Sequence, residues 1–124
     1  MTIIIIDHTA LTALFESVGS EFVTELIDTF KEEAPPMFEE LRQAQSQGDA
    51  DTFRRASHSL KTNANTFGAT RLAGLARDLE IRARANDLPG EGELDSLERA
   101  YQEAVVELNR ICSGLWKLQG KNAG

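Results

Sequence analysis

Leu94, Leu97, Tyr101, Ala104, Leu108, Ile111, Leu115 and Leu118 follow one another by alternating steps of three and four residues. No other feature restricts the fold so tightly, because this spacing draws a single apolar seam down one side of a long helix. Such a helix gains its stability from neighbours that cover the seam. The neighbours are in the chain. Val23, Leu26, Ile27, Phe30, Ala34, Met37, Phe38 and Leu41 keep helical period for about six turns. Pro35-Pro36 falls inside that run without changing its phase, which predicts one kinked helix rather than two. Phe53, Ala56, Leu60, Ala64 and Phe67 mark a third apolar face, and Leu72, Leu75, Ala76, Leu79 and Ala83 a fourth. Leu11, Leu14, Phe15 and Val18 form a shorter stripe near the N-terminus. Period-two alternation of useful length is absent, so the expected fold is all-α: an antiparallel four-helix bundle with a short additional N-terminal helix.

Punctuation between the stripes sets the expected boundaries. Gly19 ends the first helix and Ser20 is the expected N-cap of the second. Gly48 and Asp49 make the next turn and cap, the third helix runs to Phe67, Gly68 ends it, and Thr70 is the expected cap of the fourth. Residues 86–92, with Pro89 and two glycines, read as a loop. The small residues Ala73, Gly74 and Ala76 allow the fourth helix to pack closely against the third. The 124 residues make one domain, 1–124, with an N-terminal extension at 1–6 and a frayed tail at 120–124. Ile3 to Ile6 are too few for a membrane span and have no basic lead, and packing across the end of the bundle is their expected use. A net charge of −7 argues against nucleic acid or an anionic membrane as the partner. The single Cys112 cannot form an internal disulfide, and the cytoplasm is the expected compartment.

The third helix carries the chemistry. His58 lies about 200° around it from the core residue Leu60, while Arg54, Arg55, Lys61, Thr62 and Asn65 fall within about 60° of His58. A solvent-facing imidazole is therefore surrounded by cations and small polar groups. Thr62, Asn63, Asn65 and Thr66 are poor helix formers crowded into a central element, a departure that stability alone does not explain. No bulky side chain follows His58 on its face, so another protein can approach closely. An imidazole nitrogen is a competent phosphoryl acceptor at neutral pH. No Gly-rich phosphate loop or Walker lysine pattern occurs, so the phosphoryl group must come from elsewhere. His8 shares no face or spacing with other candidate ligands and is given no role.

The run from His58 to Ala69, His-Ser-Leu-Lys-Thr-Asn-Ala-Asn-Thr-Phe-Gly-Ala, resembles the histidine-containing phosphotransfer (HPt) domains of two-component phosphorelays. Their usual pattern is a helical His-x-Leu-Lys, then small residues, then a Gly-Ala turn. The resemblance extends to Ile6-Asp7 with Leu11 and Leu14, to Gly48-Asp49 and to Leu79-Glu80, nearly the whole chain. It implies that His58 accepts a phosphoryl group from a receiver-domain aspartyl phosphate, or from a kinase, and passes it to a response-regulator aspartate. It further implies that Lys61, one turn on, offsets phosphoryl charge. Glu80 stands where family members hydrogen-bond the second imidazole nitrogen, leaving Nε2 as the nucleophile and favouring the cationic phosphorylated ring.

The expected partners are a receiver domain and a hybrid sensor histidine kinase, with Mg²⁺ on the receiver and no cofactor on this chain, which is expected to be a phosphoryl carrier and a monomer rather than an enzyme. Arg54, Arg55, Thr62 and Asn65 are candidate docking residues around His58, and Phe22, Leu11 and Phe15 are candidate apolar anchors on the first two helices. Thr62 is the main departure, since most members carry Gly or Ser there, and it bears on partner preference. A helical adaptor that binds signalling partners without phosphotransfer is the alternative. A metal site at His58 and Glu80 has too few ligands of the usual kinds.

Overall fold

A computed structural model describes residues 5–123 of the chain, with side chains as far as residue 114. It contains α1 (His8–Val18), α2 (Ser20–Gln47), α3 (Ala50–Thr66), α4 (Thr70–Arg84) and α5 (Glu91–Ala123). The packing closes a ring in which α2 touches α3 and α5, α4 touches α3 and α5, and α1 lies against α2. This is the expected antiparallel four-helix bundle with a short helix at its end. The most extensive packing joins α3 and α4. There Ala56, Ala64, Ala73, Ala76 and Ala83 are all buried, and side chains this small let two helix axes approach closely.

The seam residues go inside as their spacing requires. Leu94, Leu97, Ala104 and Leu108 of α5 meet Val23, Ile27, Phe30 and Phe38 of α2 and Phe53 and Leu60 of α3 in one buried core. The Tyr101 ring meets Phe30 edge-on and Phe38 at a tilt, its centroid 5.4 Å from each, and the Phe30 and Phe67 centroids are also 5.4 Å apart. Leu115 and Leu118, the last two seam positions, lie beyond the described side chains. So does most of the expected tail at 120–124, as residues 1–4 lie outside the description at the other end.

α2 is continuous through Pro35 and Pro36, both exposed, while Ala34 and Phe38 on either side stay buried. The unbroken apolar phase thus holds the helix together across two missing backbone donors. Two caps differ from expectation. Ser20 and Thr70 are the first residues of their helices, and Gly19 and Ala69 occupy the cap positions without a side-chain cap bond. The Thr70 hydroxyl instead donates to the Gly68 carbonyl at 3.1 Å. Asp49 does cap α3, accepting from the Thr52 backbone at 3.1 Å and from its hydroxyl at 2.6 Å. The loop before α5 is also shorter than expected, since the helix begins at Glu91.

The N-terminal segment is fastened to the α3–α4 turn. The Asp7 amide donates to the Gly68 carbonyl at 2.7 Å, the Asp7 carboxylate caps α1, Ile6 is buried and Ile5 packs on the core. Isoleucines 5 and 6 therefore cover the end of the bundle; isoleucines 3 and 4 are outside the described residues.

Candidate functional site

The site is built across the α3–α4 contact. His58 points away from the core, its side chain 56% exposed, and its Nδ1 lies 2.9 Å from Glu80 Oε1. Lys61 Nζ, one turn on, donates to the other carboxylate oxygen, Oε2, at 2.8 Å. Arg84, one turn beyond Glu80 on α4, donates to Oε1 at 3.4 Å. Glu80 itself is only 3% exposed. The alanines around it explain how it arrives there: α4 comes so close to α3 that a side chain aimed at the helix interface reaches the flank of the histidine. The contact between Glu80 and His58, which in the sequence is implied by resemblance alone, is present in the structure.

A buried carboxylate is costly unless its lone pairs are occupied. Here three donors from two helices occupy them, and among the described residues no buried side-chain polar atom lacks a partner. Burial pushes the Glu80 carboxyl up, but the hydrogen bonds from Lys61 and His58 outweigh it and hold the group below its usual range. An ionised carboxylate only accepts, so the imidazole must donate from Nδ1. In the neutral ring the lone pair is then on Nε2. The arrangement therefore presents a fixed nucleophilic nitrogen on an open helix surface, with an ammonium group within one turn of it.

The other candidate residues divide. Arg54 and Arg55 both pair with Asp51, at 2.9 and 3.1 Å. The positive patch expected around His58 is therefore a set of paired cations, four against the two carboxylates Asp51 and Glu80. Thr62 and Asn65 are exposed on the His58 face, and the Thr62 hydroxyl donates back to the His58 carbonyl at 3.0 Å, satisfying itself within the helix. Leu11 is a correction: at 1% exposure it is part of the core, its stripe turned onto the bundle end by the Asp7–Gly68 tether, and it cannot anchor a partner. Phe15 is half-buried against the same core. Phe22 is 48% exposed. Yet α2 runs back from the Gly48 turn, so Phe22 lies roughly seventeen residues, or about 25 Å at 1.5 Å per residue, along the bundle from the level of His58.

Arg84 and Asp51 were not singled out in the sequence, although a signal was present. Arg84 is four residues after Glu80, and Asp51 is three and four before the two arginines, the spacings at which helical side chains of opposite charge meet. Among the described residues no group of three or more His, Cys, Asp or Glu side chains is gathered to hold a metal ion, and no helix is long and apolar enough to cross a membrane.

Comparison with known proteins follows the same lines. The family model for the Hpt domain matches residues 25–111, a span that includes His58, Lys61 and Glu80. The phosphorelay protein LuxU of Vibrio harveyi is 27% identical over 112 residues, which cover 90% of this chain and 95% of LuxU. The crystal structure of histidine-containing phosphotransfer protein B (HptB) from Pseudomonas aeruginosa PAO1 has a TM-score of 0.81 and 26% sequence identity, covering 90% of this chain and 97% of that one.

Proposed function

The chain belongs to the Hpt domain family, a family of histidine phosphotransfer in phosphorelays, and we propose that His58 is the residue that carries the phosphoryl group. One observation supports this above the others: Nδ1 of His58 is tied to a buried carboxylate at 2.9 Å while the ring is left more than half exposed. Nε2 attacks the phosphorus of an aspartyl phosphate on a receiver domain. The N–P bond forms as the P–O bond to the aspartate breaks, and the carboxylate leaves. The ring, still protonated at Nδ1, becomes a cation that Glu80 stabilises. A second receiver aspartate then takes the phosphoryl group by the reverse displacement, and the neutral imidazole is restored.

Transfer of this kind depends on positioning and electrostatics more than on covalent chemistry from the protein. Lys61 supplies the positioned cation, and Glu80 the orientation of the ring. The Mg²⁺ that such transfer uses belongs to the receiver's aspartate site, and the chain acts as a carrier between receivers or from a hybrid sensor kinase in the cytoplasm. An adaptor that only binds has no use for His58, Lys61 and Glu80 gathered into one network.

The test is His58→Gln, incubated with a phosphorylated receiver domain. The variant is expected to keep its helix content, because the ring is more than half exposed and a glutamine amide can still donate toward Glu80, and to accept no phosphoryl group. If it still gains acid-labile, alkali-stable phosphate, the acceptor is another residue.

A further inference from the structure

Gly74 lies in the middle of α4 and is exposed, although its spacing suggested a place among the small residues facing α3. Nothing inside the chain requires a glycine there. Its φ is not positive, and a Cβ built on it would meet nothing within 4 Å. After proline, glycine is the costliest residue in a helix interior, so this one leaves room that the fold itself does not use. Two turns on, Ile81 is the opposite anomaly, a branched apolar side chain left 50% exposed. At 100° per residue, Thr70, Gly74, Arg77, Asp78, Ile81 and Ala85 fall within an arc of about 100°. All six are exposed, and the buried Leu72, Ala76, Leu79 and Ala83 lie on the opposite side of the helix. Arg77 and Asp78 make no ion pair among the described residues.

This face is complementary to itself. In an antiparallel pair of α4 helices related by a two-fold axis, residue i meets residue j and j meets i, so the two numbers have a constant sum. An axis passing between Arg77 and Asp78 makes that sum 155. Each Ile81 then falls over Gly74 of the second copy, each Arg77 opposite Asp78, and each Thr70 opposite Ala85. One register thus fills both open spaces, covers both isoleucines and pairs all four unpaired charges. The other exposed apolar groups offer a second copy nothing similar. Val18 and Phe22 stand beside Glu21 and Glu25, and Val106 stands between Glu103 and Glu107. In a chain of net charge −7, a second copy brings the same carboxylates to those places.

We propose that the outer face of α4 is a self-association surface, through which two copies of the chain form an antiparallel dimer in place of the monomer expected from the sequence. The helix is 15 residues long, about 22 Å at 1.5 Å per residue, and about 10 Å wide, so the contact falls below the about 800 Å² per side of a standard interface. The dimer is therefore weak and depends on concentration. Sedimentation equilibrium of the full chain in low salt, from about 10 μM to about 1 mM, covers the range in which such a contact associates. The weight-average mass is expected to rise from 13.7 kDa toward twice that value. Arg77→Asp alone and Asp78→Arg alone set like charges opposite one another, and each is expected to stay monomeric. An equimolar mixture of the two restores both pairs and is expected to dimerise. Gly74→Leu fills the seat of Ile81 and is expected to be monomeric while melting above the wild type, which separates loss of the contact from loss of the fold. A wild-type mass constant at 13.7 kDa over the whole range overturns the proposal. So does a dimer that survives Gly74→Leu, or a mixture of the two charge variants that stays monomeric.

Discussion

Glu80 is a carboxylate placed where carboxylates rarely go, and its burial is what gives His58 a defined tautomer. An exposed histidine exchanges its proton between two nitrogens; one whose Nδ1 lies 2.9 Å from an ionised, buried acceptor does not. Nitrogen-15 NMR of neutral His58 is therefore expected to show protonated Nδ1 and bare Nε2. Glu80→Gln, which keeps an acceptor oxygen, should retain that pattern, and Glu80→Ala should lose it. A wild-type ring protonated at Nε2 would mean that Glu80 does not set the tautomer. His58 and Lys61 could be found from the sequence because their relation lies within one helix, where spacing fixes direction. The bond to Glu80 lies between helices, and wheel angles say which way a residue points without saying what it meets. Arg84 was missed for the same reason: its importance appears only when Glu80 is known to be the hub.

At the scale of the helices, the turns were legible where a glycine was required and less so at the caps. Gly19, Gly48 and Gly68 all have positive φ, 85°, 69° and 69°, a region that L side chains rarely enter. Ser20 and Thr70 look like caps by residue type, but each helix starts one residue sooner, and the backbone amides are left to glycine and alanine positions. Gly68 has a second constraint. A Cβ there would lie 2.8 Å from the Asp7 carbonyl oxygen and 3.1 Å from Ala10 Cβ, whereas at Gly48 nothing stands within 4 Å. Both Gly→Ala changes carry the strain of positive φ, about 1–3 kcal/mol. Only Gly68→Ala also forces the N-terminal segment off the α3–α4 turn. Urea denaturation should find Gly68→Ala the less stable of the two, and hydrogen exchange should find the Asp7 amide, bonded to the Gly68 carbonyl at 2.7 Å, unprotected in that variant alone. Equal losses with Asp7 still protected would mean that the tether does not depend on the missing side chain.

Across the whole molecule, the apolar periods specified four long helices and a short one, since each stripe must be covered and only a bundle covers them all. They did not specify the charge pairing, and that pairing governs how the fold responds to acid. The carboxyls of Asp49, Glu80, Asp87 and Glu107 lie below their ordinary values in the folded chain. The unfolded chain then takes up protons first, so this stabilisation is complete above the ordinary values of 3.8 for Asp and 4.5 for Glu, and is lost as pH falls through the lower folded values. Asp49, Asp87 and Glu107 act near the surface, where solvent screening leaves little. Glu80 is buried, and protonating it releases Lys61, His58 and Arg84 together, so most of the acid dependence should pass through this one group. Glu80→Gln is expected to lower stability at neutral pH by about 1–3 kcal/mol, the cost of weakening a buried hydrogen-bonded network. It should also flatten the fall in urea-unfolding free energy between about pH 5 and pH 3, because the variant has no proton to take up there. An acid slope as steep in Glu80→Gln as in the wild type would move the burden to the surface carboxylates and leave the buried carboxylate with a role in orienting His58 alone.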